Sequence, residues 1–527
     1  MNSPHLNKRI PFDPAAIVDM PGWRENLVWP ISQQEQHHIL SQQFQGLFDH
    51  ITGVTDSIER DVLLLGTPPL MHMVRILSEA ALAIQKGAAS GIHLVGERPE
   101  LAFLRGEIHE VEFSPPPPPA AHPPQMAFLR RIARTASWTP WWRLAPVFLS
   151  PTATAVSHNH LLCEIAKESP ERLVFHHAES WLAEIRESSA TKKPDLDVMR
   201  LALDVAALLA DIDGLEEPWK ERLRRLILFL AEHFLAYAAL DLDALLRRKD
   251  LPGMLWSAGG GYYPARAVAL AVIRKGGTVR GFEHGGTLGF MEDKLMLAFG
   301  EFAAATEFVV STKAKAALTN LTRTAEMVHP LHSLKILHHR GDPAFRFSRK
   351  ERTSRNQRPR LVYISTALLG FRQLYPPLLP DAVYLDWQLR LVEFLKTLPV
   401  DLVCRPHPES IVPGVRHPLE DIAMVASGPF HQLREAADIF IFDYPRTTSF
   451  WECLCTDKPV VYMNLNHESF NPELRPTMEK RCRFVSVTYD ERNLPQFDRD
   501  ALSQAIMTAP SRVDSGEIRG VLVGEQE

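Results

Sequence analysis

The 527-residue sequence predicts an α/β protein with two Rossmann-type β/α/β domains facing each other across a cleft. Three observations carry that expectation. Short apolar runs alternate with helical patterns from about residue 250 to 345. A polar, Arg-rich interval at 346–360 interrupts the alternation, which then restarts and continues to about 510. Glycine, proline and hydroxyl residues gather where strands end and helices begin, which is where open parallel sheets bind ligands.

A chain of this length exceeds one ordinary core, and about three domain-sized units are expected. The hydrophobic fraction of 45% excludes disorder over most of the length. A net charge of −5 without a basic block argues against a nucleic-acid partner. Cys163, Cys404, Cys453, Cys455 and Cys482 are sparse and odd in number, and read as free thiols of a reducing cytoplasm. The first twenty residues lack an unbroken apolar core, so no signal peptide is expected. The most apolar stretch, 226–246, carries Glu232, His233, Asp241 and Asp243 and is no plain membrane span. These features predict a cytoplasmic protein, at most peripheral to the inner face of a membrane.

Taken in order, residues 1–55 form an extension of unclear fold, polar with scattered aromatics (Trp23, Trp29, Phe44, Phe48). An N-terminal Rossmann-like domain is expected over 56–345. It starts with a strand at 61–65, a helix at 69–86 and a strand at 92–95. The proline tract beginning at 115 reads as a polyproline surface loop. A helical hairpin fills 194–248, with Gly214 closing its first helix and Pro218 opening its second. Strands follow at 254–257, 278–283 and 308–311, with a helix at 264–275. Residues 346–360 read as a linker. The C-terminal domain, 361–510, has strands at 361–365, 400–404, 439–442 and 460–463, and helices near 385–395 and 449–455. Residues 511–527 read as a flexible tail. There is no internal repeat.

Four strand ends hold candidate chemistry. The strongest is the segment 443–452, DYPRTTSFWE, where Thr447, Thr448 and Ser449 open a helix beside Arg446. Unpaired N–H groups and hydroxyls at a helix start suit a phosphate, and Glu452 one turn on suits ribose hydroxyls. Ser449-x-x-Glu452 also fits a capping box that needs no ligand. The second is 404–410, CRPHPES, where Pro406 and Pro408 hold His407 rigidly beside Arg405. The third is 283–286, EHGG. His284 suits a general base, and Gly285 and Gly286 permit close approach to the backbone. The fourth is the turn Gly259, Gly260, Gly261, which lacks dinucleotide-motif spacing and is equally explained by tight packing. Ser365 and Thr366, at the end of the strand 361–365, form a weaker companion facing the cleft. The aspartate pairs 195/197, 211/213, 241/243 and 498/500 end no strand, so no metal site is expected.

The order of EHGG, RPHPES and DYPRTTSFWE, followed by KPVVYMN at 458–464, resembles bacterial transferases of surface-carbohydrate biosynthesis with the GT-B fold. It is similar, more distantly, to capsule Kdo transferases, bacterial sialyltransferases and CDP-glycerol glycerophosphotransferases. The resemblance covers roughly 250–490. It implies a glycosyltransferase taking a nucleotide sugar, CMP-linked to an acidic sugar such as Kdo or a nonulosonic acid, as cosubstrate and no other cofactor. The acceptor would be a glycan, a lipid-linked glycan or a surface protein. By the same resemblance Arg405, His407, Arg446, Thr447, Thr448, Ser449 and Glu452 contact the donor, and His284 is the base. A polyol-phosphate transferase, a UDP-sugar epimerase and a non-catalytic scaffold of polysaccharide assembly are the alternatives.

Overall fold

The computed structural model describes residues 8–524 apart from 14–15, 18, 97, 110–125, 190–195, 293–297, 323–333, 348–357, 369–378, 409–415 and 467–468. Within the described residues three sheets form. The smallest pairs β1 (Lys8–Pro11) with β2 (Ile92–Val95) in parallel. The second contains β3 (Ala153–Ala155), β4 (Leu173–Phe175), β5 (Met254–Ser257), β6 (Thr278–Phe282), β7 (Glu307–Val310) and β8 (Lys335–His338). Its order is β4-β3-β5-β6-β7-β8, parallel throughout.

The third sheet contains β9 (Arg360–Ile364), β10 (Asp401–Arg405), β11 (Met424–Val425), β12 (Ile439–Phe442), β13 (Val460–Asn464), β14 (Cys482–Tyr489) and β15 (Pro495–Phe497). Its order is β11-β10-β9-β12-β13-β14-β15, and only the last pair is antiparallel. The chain moves outward from β9 through β10 to β11, then returns to lay β12 on the other side of β9. The switch point therefore lies between β9 and β12, and in the second sheet between β3 and β5. Burial on both faces explains the unbroken apolar runs, Ile439–Phe442 being buried at every position. The two Rossmann-type halves expected from the alternation are both present.

The helices needed below are α1 (Gln33–Gly53), α2 (Ser57–Ala89), α3 (Ala127–Trp138), α4 (Val198–Ala210), α5 (Trp219–Arg247), α6 (Tyr263–Arg274), α7 (Lys313–Thr322), α8 (Asp381–Leu395), α9 (Thr448–Leu454) and α10 (Gly516–Leu522). The hairpin expected at 194–248 is α4 and α5. With α1 and α2 it forms a helical layer that packs on α6. Residues 190–195, the proline tract and most of the linker lie outside the described residues.

Three expectations are corrected. The strand at 61–65 is part of α2: Asp56 caps that helix by accepting from Ile58 and Glu59 N–H, and Val62–Leu65 are buried on all sides. A short unbroken apolar run fits a buried helix as well as a strand, and packing against α5 decides it. The extension 1–55 has a defined fold from residue 8 onward. Ser32 and Glu35 form a reciprocal capping box for α1. The segment before it reaches the third sheet's side, with Trp29 N donating to the Arg492 carbonyl at 2.9 Å and Arg24 paired to Asp386 and Glu393.

The tail expected to be flexible contains α10, where Ile518, Arg519, Leu522 and Val523 are buried. Thr312 Oγ1 donates to the Val521 carbonyl at 2.5 Å and Asp342 N to that of Leu522 at 2.9 Å, while Arg519 reaches the Cys455 carbonyl at 3.2 Å. The end of the chain thus ties the two halves together.

Asp197 and Asp498 cap helices, and Asp241 holds Arg186 and Tyr263. Among the described residues no group of three or more His, Cys, Asp or Glu is arranged to hold a metal ion. No described helix is long and apolar enough to cross a membrane.

Candidate active site

The loop after β6 starts at Glu283, whose side chain is almost fully buried. Its carbonyl accepts from Asn159 Nδ2 at 2.8 Å and its Oε2 from Ser311 N at 3.1 Å. Oε1 lies 3.1 Å from the ammonium of Lys315, itself completely buried on α7. That ammonium also donates to the Gly286 carbonyl at 2.5 Å and sits 3.1 Å above the Phe290 ring centre. Burial pulls Lys315 down to about 8, with Glu283 pulling the other way. The histidine-glycine loop is therefore gripped from beneath by a buried ion pair.

Gly285 and Gly286 both adopt left-handed backbone, with φ of 75° and 79°. A Cβ on Gly285 would stand 3.0 Å from Thr448 Oγ1, and one on Gly286 only 2.7 Å from the Phe345 ring and 3.3 Å from Trp451. Conformation and proximity both demand glycine here. Trp451 Nε1 donates to Thr287 Oγ1 at 3.2 Å across the same seam. The EHGG loop of one sheet and the hydroxyl-rich helix start of the other are thus direct neighbours.

His284 points out of this seam with 54% of its side chain exposed, which leaves it open to a substrate. Its Nδ1 is 3.9 Å from Glu301 Oε1, and Glu301 Oε2 accepts from Gly260 N at 3.1 Å. One carboxylate thus links the histidine to the glycine turn. The wholly buried Arg266 braces the turn that carries Glu301, donating to the carbonyls of Phe299, Gly300 and Gly260. Gly259 N donates to Ser257 Oγ at 3.3 Å, and a Cβ on Gly261 would lie 4.0 Å from Glu301. The glycine turn therefore sits beside His284. Glu301 is not legible in the sequence, because nothing around 298–302 reads as a strand end.

On the opposite side, Thr447 caps α9 by accepting from Phe450 N at 3.2 Å. The capping box imagined at Ser449 and Glu452 is absent: Phe450 occupies the third helical position and Ser449 the second. The hydroxyls of Thr448, exposed, and Ser449, half-buried, make no hydrogen bond among the described residues. Arg446 is half-buried in the turn just before them. Glu452 is raised by burial and pulled back by Arg434, with which it forms an ion pair. A ribose contact by Glu452 would have to share that partner.

Arg405 is spent elsewhere. It donates to the carbonyls of Ala426 at 2.7 Å and Gly428 at 2.8 Å, bracing the loop after β11. This removes it from the set free to grip a phosphate. His407 is half-buried just past β10, and 409–415, which follow, lie outside the described residues.

At the switch point, Ser365 is 2% exposed and its hydroxyl has no partner among the described residues. Thr366 N donates to the Tyr384 hydroxyl at 2.9 Å, which in turn donates to Asp443 Oδ1 at 2.9 Å. Tyr363 and Trp387 donate to Asp443 Oδ2 at 2.5 and 3.0 Å. Burial pushes Asp443 up to about 6, against these three donors. This network fixes the ends of β9 and β12, the two strands flanking the crevice. In the sequence Asp443 reads only as the start of a motif.

No protein-family model matches the chain, and no curated protein matches it. Among solved structures, the crystal structure of Arabidopsis thaliana UGT89C1 aligns at a TM-score of 0.33 and 13% identity, over 75% of this chain and 89% of that chain.

Proposed function

We propose that the protein is a glycosyltransferase that moves a sugar from a nucleotide donor, CMP-linked to an acidic sugar such as Kdo or a nonulosonic acid, to a surface glycan or surface-protein acceptor. The observation that carries this is the seam itself. An exposed histidine on a glycine loop of one parallel sheet abuts uncommitted hydroxyls at a helix start of the other, where a Cβ on Gly285 would stand 3.0 Å from Thr448 Oγ1.

The donor phosphate lies against Thr448, Ser449 and the first N–H groups of α9, with Arg446 and His407 near it. The nucleoside enters the crevice by Ser365 and Thr366. His284 takes the proton of the acceptor hydroxyl through Nε2, while Glu301 beside Nδ1 stabilises the imidazolium that forms. The acceptor oxygen attacks the anomeric carbon and the sugar–phosphate bond breaks. The charge left on the phosphate falls on the helix start. No step in this scheme uses a metal ion, and Arg405 serves the loop rather than the phosphate.

The test is thermal unfolding of the whole protein with CMP, CDP and UDP. A ligand held by the folded state alone at a hundred times its Kd stabilises by about 2.7 kcal/mol, a readily measured shift. CMP or CDP should raise the midpoint. No shift with any of the three would sink the donor site and favour a scaffold. Binding followed by a phosphorus-containing product would move the reading to polyol-phosphate transfer.

A further inference from the structure

We infer that α3 and the turn after it form a docking surface for an anionic lipid bilayer. On α3 the apolar stripe points outward. Phe128, Leu129 and Ile132, in its first half, are 70%, 52% and 37% exposed, while Thr135 and Trp138, near its end, are buried. The chain continues through Trp141, Trp142 and Leu149, which are 79%, 64% and 85% exposed. Large aromatic and aliphatic side chains this open, in one continuous stretch, form the kind of patch that marks an interaction site.

Charge selects the partner. Residues 126–150 contain four arginines and no Asp, Glu or Lys, in a chain whose net charge is −5. Arg130 is exposed and pairs with no acid among the described residues. Arg131 and Arg134 lie over the rings of Phe148 and Phe175, and Arg143 reaches the Pro170 carbonyl at 3.3 Å. These three are half-buried and the Glu179 carboxylate acts on Arg134, which leaves Arg130 as the exposed guanidinium of the segment.

A bilayer with anionic headgroups offers both complements in one plane, phosphates above and acyl chains below. The tryptophan pair fits that boundary, where indoles concentrate. A purely apolar protein groove would leave Arg130 unmatched, and a nucleic acid would leave Leu129, Ile132 and Leu149 in water.

The surface adjoins the candidate active site. Ser137 Oγ, at the end of α3, contacts His158 Nε2 at 3.1 Å, and Trp138 packs on the same imidazole with ring centres 5.6 Å apart. His158 belongs to the loop after β3, at the switch point of the second sheet. A lipid-carried acceptor would meet that crevice directly. Only this last step rests on the transferase reading; docking itself does not.

The experiment is co-sedimentation of the full chain with vesicles of 30% phosphatidylglycerol in phosphatidylcholine, without donor or acceptor. The protein should pellet with these vesicles and stay in solution with pure phosphatidylcholine. Raising salt from 0.1 to 0.5 M should weaken binding about tenfold or more. W141A/W142A should lower the partition coefficient at least tenfold and R130E several-fold. Both substitutions are on exposed side chains, and circular dichroism checks that the fold is kept. Wild-type protein left in the supernatant, or variants that pellet like wild type, would overturn the proposal. A concentration-dependent dimer abolished by W141A/W142A, with no vesicle binding, would overturn it in favour of a second copy of the chain. Because no nucleotide enters the assay, its outcome is independent of the donor site.

Discussion

Substituting Lys315→Met tests how the histidine loop is held. The ammonium is completely buried between Glu283, the Gly286 carbonyl and the Phe290 ring. Methionine fills much the same volume but leaves the Glu283 carboxylate in the interior with only the Ser311 N–H as a partner among the described residues. Breaking one side of a buried pair costs about 3–5 kcal/mol, because the remaining charge is unpaired. Urea unfolding at pH 7 should show that loss, and Lys315→Met with Glu283→Gln should recover part of it. A pH series adds an independent readout. In the unfolded chain Lys315 keeps its proton to 10.5, whereas burial lowers it to about 8 in the fold. Between these values the unfolded chain binds more protons, so this site's contribution to stability rises with pH and is lost as pH falls through about 8. The full span corresponds to about 3 kcal/mol. Subtracting the curve of the variant cancels the thiols and phenols that titrate in the same range. A loss below about 1 kcal/mol would refute the account of a buried ion pair gripping the loop, whereas a difference curve flat from pH 8 to 10.5 would mean that Glu283 fully offsets the burial of the ammonium.

Four other variants probe the seam and the crevice beside it. His284→Ala should lower turnover about 10²-fold with donor affinity near wild type; unchanged turnover with the true acceptor would remove it as the base. Thr448→Ala with Ser449→Ala should weaken nucleotide binding by about 1–3 kcal/mol at constant stability, whereas Thr447→Ala should cost about 1 kcal/mol of folding stability. The opposite assignment in calorimetry and unfolding would mean the cap has been misplaced. Asp443→Asn tests the crevice network: with its carboxyl raised from 3.8 to about 6, Asp443 contributes stability that is full below 3.8 and lost as pH rises through about 6. The wild-type advantage over the variant should therefore fall by about 2 kcal/mol from pH 4 to 6.5, and a constant difference would contradict the burial argument.

Legibility in the sequence followed local determinism. β5, β6, β9, β12 and β13 were readable because strands buried on both faces are apolar runs that end in glycine, proline or a hydroxyl. β3 and β4 escaped because three residues each, Ala-Thr-Ala and Leu-Val-Phe, are too short for a period to show. α10 escaped for the same reason, its Ile518 and Leu522 being one repeat of a pattern. The site divides likewise. His284, the glycines and the threonines were found because a strand-to-helix turn needs those residue types locally. Glu301, Lys315, Tyr384 and Trp387 were not, since an ordinary helical lysine or tyrosine becomes a site residue only when crossovers bring its element to the right strand end.

The cap on α9 shows how fine the margin is. Ser449 and Glu452 have capping-box spacing, but the Pro445 turn starts the helix two residues sooner, so Thr447 takes the cap and frees the next two hydroxyls. The same ambiguity, turned inside out, governs α3. Its apolar positions 128, 129 and 132 have the spacing of a core-facing stripe, and by period alone they would be buried. Periodicity fixes that a helix has two unlike faces but not which one meets the protein. Here Thr135 and Trp138 won the inward side, since Trp138 Nε1 finds the Leu173 carbonyl at 3.1 Å and Thr135 Oγ1 receives Phe175 N at 3.0 Å. Two polar contacts thus pin the C-terminal end of α3 to β4, while Phe128, Leu129, Arg130 and Ile132, nearer its start, stay open.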